Sequence, residues 1–200
     1  ASATWHDVGS VPSCRASYQY AFAAEERAIE RAVEMMAQAR RPIFYTGGGV
    51  INAGDGASTA LREIAQLTGA PVTSTLMGLG AFPAISAQWL GMLGMHGTYE
   101  ANMAMNEADL IVAVGARFDD RVTGRLDAFS PHSAKIHIDI DRSSIDKTVP
   151  VDLAINADAG EALAAIVARW RVAGQQPRDL ATWWRRIEGW RARAIVWLLT

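Results

Sequence analysis

A single cysteine, Cys14, in 200 residues excludes an internal disulfide and any cysteine-based zinc site. The four histidines, His6, His96, His132 and His137, do not fall at metal-ligand spacing. Charge of neither sign dominates: 19 basic residues stand against 21 acidic ones, for a net charge of −2. The basic residues are dispersed, which argues against nucleic acid as a partner. No apolar run is long enough to span a bilayer. The N-terminus lacks the basic-then-apolar order of a signal peptide, so a cytoplasmic or organellar setting is expected. No repeat at a fixed period is visible. The dinucleotide fingerprint Gly-x-Gly-x-x-Gly and the P-loop are both missing.

What is there is an ordinary globular composition, 50% hydrophobic and 20% charged, enough for one domain with a real core. Residues 1–22 show no usable periodicity and read as a linker or irregular lead-in. Apolar residues then recur at helical spacing from Ala23 to Arg40, with Ile29, Val33 and Met36 inward. Pro42 ends that pattern, and Ile43 to Tyr45 predicts a short strand running into Gly47-Gly48-Gly49. A helix over 57–68 follows, then a strand over 71–75 and a glycine-punctuated loop over 77–83. A short helix is predicted over 98–106, a third strand over 110–115, a fourth over 135–140 and a fifth over 152–157. Gly160 to Val172 is amphipathic. This alternation predicts an α/β fold, a doubly wound, mostly parallel sheet with helices on both faces. The domain is placed at 23–175. The tail, 176–200, is helical and tryptophan-rich, with Trp183, Ile187, Trp190 and Ala194 on one face. It reads as a helix that docks on something larger, with an uncapped apolar end that suggests a truncated chain.

The most telling stretch runs from Gly91 to Gly124. Leu110 to Gly115 is a strand buried on both faces, and it ends in Arg117, Asp119, Asp120 and Arg121. Open α/β sheets bind ligands outside the carboxyl ends of their strands. The arginines there suit a pyrophosphate, and Asp139 at the end of the fourth strand suits ribose hydroxyls. Gly47 to Gly49 would let a ligand approach the backbone or simply make a tight turn. Thr75 to Gly78 ends the second strand in a flexible connection. His96 opens a helix and is not assigned proton transfer. Met92, Met95, Met103 and Met105 read as core fillers. Asp139, Asp141 and Asp158 are also natural helix caps. Each signal alone is weak, but together they point to a dinucleotide-type cofactor on the carboxyl edge.

LGMLGMHGTYEANMAMNEADLIVAVGARFDDRVTG, together with KIHIDID, AINAD, GGGVINAG and PVTSTLMGLGAFP, resembles the middle domain of the acetolactate synthase (acetohydroxyacid synthase) catalytic subunit. The resemblance covers about 23–172. It implies the Rossmann-like central domain of a thiamine-diphosphate enzyme that joins two 2-oxoacids with loss of carbon dioxide, at the start of branched-chain amino-acid biosynthesis. In such enzymes this domain binds FAD, which has no net redox role. The outer domains bind thiamine diphosphate and Mg²⁺ and supply the catalytic glutamate. A homodimeric or tetrameric assembly and a regulatory small subunit are implied as partners.

Carried over by position, FAD contacts would come from Gly47, Gly48, Gly49, Thr75, Leu76 and Met77, and from Leu93, Gly94, Met95 and His96. Gly115, Ala116, Arg117, Asp119, Arg121 and Val122 would follow, then Asp139, Ile140, Ser144, Ala157 and Asp158. Met95, Asp120 and Arg121 would also line the channel to the thiamine, where inhibitor herbicides bind. Neither the amino-terminal glutamate domain nor the Gly-Asp-Gly…Asn metal motif has a counterpart here. The chain is therefore expected to be a fragment without catalytic residues or metal ligands, inactive alone and with weakened FAD affinity. A free-standing NAD- or ADP-binding module and an inactive remnant with surplus exposed tryptophan remain open.

Overall fold

The structure is a computed structural model and describes residues 26–199, with side chains described as far as residue 193. The lead-in over 1–22, the predicted helix start over 23–25 and the side chain of Ala194 lie outside the described residues. Among the described residues six strands form one sheet, β1 (Pro42–Thr46), β2 (Val72–Ser74), β3 (Trp89–Met92), β4 (Leu110–Val114), β5 (Ala134–Ile138) and β6 (Leu153–Ile155). Their spatial order is β3-β2-β1-β4-β5-β6, and every pairing is parallel. Strand order therefore reverses between β1 and β4, and a parallel sheet of this order opens a crevice at that point.

Two strands explain the sheet's position. β1 and β4 are buried at every residue, so a helix covers each face of the sheet. Alternate side chains point to opposite faces. Phe44, Val112 and Val114 enter a core built with α1 (Glu26–Gln38), α3 (Asp55–Thr68) and α6 (Ala159–Val172). Ile43, Tyr45, Ile111 and Ala113 enter a second core built with α4 (Tyr99–Glu107) and α7 (Ala181–Leu199). Pro42 is tolerated because it is the first residue of its strand.

Each amphipathic pattern buries the predicted stripe. Ile29, Val33 and Met36 of α1 are buried, as are Leu61, Ile64 and Ala65 of α3. Gly69 ends α3 in the left-handed conformation, φ 70°. The sheet departs from the predicted one in one strand. β3, WLGM, has no counterpart among the predicted strands, because its half-exposed edge position and its glycine remove both the apolar run and the alternation. Gly47 to Gly49 is also not a plain loop: Gly48 opens a short helix, α2 (Gly48–Asn52).

The tail docks on this same domain. Trp183, Ile187 and Trp190 are buried against α4 and the sheet. The Trp183 indole N–H donates to Pro42 O (3.1 Å), and that of Trp184 to Gly69 O (2.9 Å). Arg191 donates to Ala87 O and Trp89 O, which ties α7 to the edge strand. Trp170 is buried too. The expected surplus of exposed tryptophan is therefore not found among the described residues. No described helix is long and apolar enough to cross a membrane.

Candidate functional site

All the residues singled out for a cofactor follow the carboxyl ends of strands. The tightest contact lies at the switch point. Gly115 follows β4 with φ 53°, and its backbone presses on Gly47 and Gly49 after β1. A Cβ built on Gly47 would fall 2.2 Å from Gly115 O, and one on Gly49 would fall 2.6 Å from Gly115 Cα. The N–H groups of Gly47 and Gly49 donate to Val114 O and Gly115 O. Glycine is required here first for backbone-to-backbone packing. The N–H groups of Gly47 and Gly49 are thereby used within the chain.

The neighbouring segments close around this contact. A Cβ on Gly48 would meet the Met77 side chain at 3.3 Å, and Thr75 N–H donates to Thr46 O. Thr75 caps the short 3₁₀ turn Leu76–Gly78 through its hydroxyl, which accepts from Gly78 N–H. Leu93 is buried, whereas Met95 and His96 are exposed. Met95 N–H donates to Arg121 O (3.1 Å), so the loop after β3 meets the loop after β4. Gly94 carries φ 102° and leaves no room for a side chain beside Arg121 O.

Asn102, absent from the residues predicted for the site, holds this junction. Its carboxamide accepts from Gly94 N–H and donates to Gly94 O and Thr98 O. The available hint is an asparagine in the first turns of a helix, where its competition with the backbone is otherwise unfavourable.

Beyond β4 the chain runs Gly115, Ala116, Arg117, Phe118 and Asp119, then the short helix α5 (Asp120–Thr123). Two side chains from the sheet face pin it. Tyr45 O–H donates to Arg117 O (3.0 Å), and His137 Nε2 meets Ala116 O (3.0 Å). Phe118 packs on both rings, with centroids 5.6 Å and 5.3 Å away. Burial, assisted by the Asp119 charge, pushes the Tyr45 hydroxyl well above its usual range, so it stays a donor. Val122 is partly buried nearby.

The charged residues of this loop are solvated. Arg117 pairs with Asp119 (3.2 Å) and Arg121 approaches Asp120 (3.9 Å), all with side chains more than half exposed. Exposed pairs of this kind are worth about 0–1 kcal/mol and rearrange at little cost.

At the end of β5, Asp139 is buried and accepts from Asp141 N–H. Asp141 caps the 3₁₀ turn Arg142–Ser144, accepting from Ser143 N–H and from the Ser143 and Ser144 hydroxyls. Ile140 is exposed, and its carbonyl and that of Asp139 accept from Asn156. Ala157 is buried, and Asp158 caps α6, accepting from Gly160 and Glu161 N–H. The capping readings of Asp141 and Asp158 therefore describe the structure.

Met95 is not a core filler. It is 66% exposed, while Met105 is buried. It joins Leu76, Met77, Leu79 and Ile140, all exposed and all in segments that follow strand ends. Exposed large apolar side chains after several strand ends suit the ligand edge of a doubly wound sheet. Among the described residues there is no cluster of three or more His, Cys, Asp or Glu side chains able to hold a metal ion.

His137 gives a pH prediction. Burial holds its imidazole below the ordinary 6.5, against the opposing pull of Asp139. Nε2 then carries the proton toward Ala116 O, and buried Nδ1 has no partner among the described residues. Below the unfolded value the unfolded chain binds a proton that the folded histidine refuses, so stability falls as pH falls. His137→Gln is expected to flatten the loss of melting temperature between about pH 7.5 and about pH 5.5. Equal losses in both proteins would show that His137 is not the group responsible.

Residues 29–166 match the family described as thiamine pyrophosphate enzyme, central domain. The acetolactate synthase isozyme 3 large subunit of Escherichia coli K12 is 46% identical over 179 residues, covering 88% of this chain and 31% of that protein. The acetolactate synthase large subunit of Haemophilus influenzae is 46% identical over 166 residues, covering 82% and 29%. A Mycobacterium avium acetolactate synthase is 47% identical over 163 residues, covering 81% and 26%. The chain spans less than a third of the length of these relatives. The matched stretch runs from α1 to α6 and takes in every strand of the sheet, so the chain belongs to the central-domain family of thiamine pyrophosphate enzymes.

Proposed function

We propose that this chain is the FAD-binding central domain of an acetolactate synthase large subunit. The observation that carries the reading is the exposure of Leu76, Met77, Met95 and Ile140 in segments that follow strand ends, on the edge where glycine backbone packs at the switch point. Covering apolar surface stabilises by roughly 25 cal/mol per Å², which suits a wide, flat, mostly apolar ring system. The solvated Arg117 and Arg121, held only by weak local pairs, suit the pyrophosphate of a dinucleotide. Asp139 keeps one carboxylate oxygen free of backbone donors at a strand end, which suits a ribose. These residues fit the group, and FAD bound among them would serve as a structural wall with no net redox role.

The chain's own contribution is orientation. Tyr45 and His137 fix the path of Ala116 to Phe118, and Asn102 fixes Gly94, so the two loops that meet at Met95 and Arg121 keep their spacing. Met95, Asp120 and Arg121 would form one wall of a channel to thiamine diphosphate and Mg²⁺ held elsewhere. There the enzyme condenses pyruvate with pyruvate or 2-oxobutyrate and releases carbon dioxide. A homodimeric or tetrameric assembly and a regulatory small subunit belong to the same reading. This chain supplies no general acid or base for that condensation, and no turnover of pyruvate is expected from it alone, even with thiamine diphosphate and Mg²⁺ added.

A flavin titration followed by absorbance tests the pose. Arg117→Ala is expected to weaken FAD binding roughly tenfold or more, since a charge-assisted hydrogen bond is worth about 1.5–3 kcal/mol. Arg125→Ala should leave it nearly unchanged, because Arg125 lies past α5 and is engaged by Asp127 through two hydrogen bonds. Equal effects would count against the pose. Tight NAD or ADP binding without flavin would replace it with a nucleotide-binding module.

A further inference from the structure

The opposite edge of the sheet holds a second cleft, about five strand residues and so roughly 17 Å from the glycine contact. It has a volume of about 670 Å³ and lies where β1 and β4 begin, under the start of α7. Four arginines line it, Arg40, Arg41, Arg178 and Arg186, against two aspartates, Asp109 and Asp179. Both oxygens of Asp109 and one of Asp179 accept from backbone. Asp109 accepts from the N–H groups of Arg40 and Arg41, and Asp179 accepts from Ala181 N–H. Arg186 pairs with Glu107. Among the described residues no carboxylate lies within 4.0 Å of the guanidinium of Arg40, Arg41 or Arg178. The buried Nε of Arg41 has no hydrogen-bond partner among them either.

Four arginines against two aspartates leave the cleft net positive, which opposes folding, and a buried unmade donor adds to that cost. An anion in the cleft would remove both penalties. Guanidinium forks match planar or tetrahedral oxyanions two bonds at a time. The aromatic on the wall, Trp183, is 1% exposed and its indole N–H is already given to Pro42 O. The cleft therefore offers charge and donors but no face for stacking a base.

We propose that this cleft binds a small multivalent oxyanion, a phosphate ester, pyrophosphate or polycarboxylate, at a site separate from the flavin edge. Arg41 supplies the buried donor, and Arg40 and Arg178 supply the flanking charge.

Calorimetric titration of the full chain with inorganic pyrophosphate, and separately with citrate, at fixed ionic strength tests this. Saturable binding of either is expected, and the tighter of the two assigns the class as phosphate or carboxylate. The double variant Arg41→Gln, Arg178→Gln should weaken that binding at least about tenfold while FAD affinity stays unchanged. Arg117→Ala should weaken FAD yet keep the pyrophosphate site that the double variant loses, so the cleft and the flavin reading fail separately. Arg41→Gln keeps the backbone N–H that Asp109 accepts, and its unliganded melting temperature should hold or rise. If the double variant does not fold, Arg178→Gln alone, at an exposed position, should still weaken binding several-fold. Absence of saturable binding, or pyrophosphate binding lost in Arg117→Ala and kept in the double variant, overturns the proposal.

Discussion

Replacing Gly47 with alanine is expected to cost about 3 kcal/mol of stability, while Gly56→Ala in the same chain is expected to be neutral or stabilising. Both changes add one methyl group, and their surroundings decide the sign. The new Cβ at position 47 would lie 2.2 Å from Gly115 O and 2.6 Å from Ala116 Cα, both backbone atoms of the adjoining strand end. No rotamer relieves a clash with main chain, so β1 and β4 must separate at their carboxyl ends. Position 56 has no heavy atom within 4 Å of the added Cβ and lies in α3, where alanine is the better helix former. For a chain of this size the loss at Gly47 corresponds to a fall of roughly 6–12 °C in melting temperature. Scanning calorimetry of the two variants tests it. Similar melting temperatures would mean that the switch-point glycines are not packed as described.

The same pair of strands shows what the sequence could disclose. β1 and β4 are evident because burial on both faces demands near-continuous apolar residues in a short run between turn residues, and β5, AKIHI, is evident from its alternation. The three helices around the first core are evident because each buries one stripe at helical spacing. β3 is hidden because an edge strand has partners on one side only, and Gly91 interrupts the pattern with a positive φ of 87°. Strand order is hidden altogether, since it depends on which strands pair rather than on any local pattern.

The candidate site is legible to a different depth. Glycine and charge at strand ends can be seen in the residues. The reason for glycine cannot, because a close approach of Gly47 to Gly115 joins positions far apart in sequence. Asn102, Tyr45 and His137 escape notice for the same cause. Each acts on main chain some distance away, through a few hydrogen bonds at most, and a single polar side chain in an apolar stretch carries no periodic signal. Met95 misleads in the other direction: an unbranched apolar residue reads as core filler until its exposure is known.

The second large effect concerns α7. Trp183→Ala is expected to destabilise by about 3–5 kcal/mol, the usual range for removing a buried large aromatic side chain. Trp183 is 1% exposed, stands edge-on to Trp190 at 5.7 Å between centroids, and closes the amino end of β1 by donating to Pro42 O. Truncation removes that area, leaves the carbonyl without its donor, and strips Trp190 of its neighbour. The aromatic pair should add roughly 0.5–1.5 kcal/mol of coupling, measurable by combining Trp183→Ala with Trp190→Ala. Chemical denaturation supplies both numbers. A loss below about 1 kcal/mol would show that α7 contributes little to the second core, leaving α4 alone to cover that face of the sheet. The size of the effect also bears on the arginine cleft, because Trp183 forms part of its wall. A helix held this firmly fixes Arg186 and the end of the segment that carries Arg178 just before it, whereas a loosely held one would let the charges spread apart and remove the reason for an anion to bind.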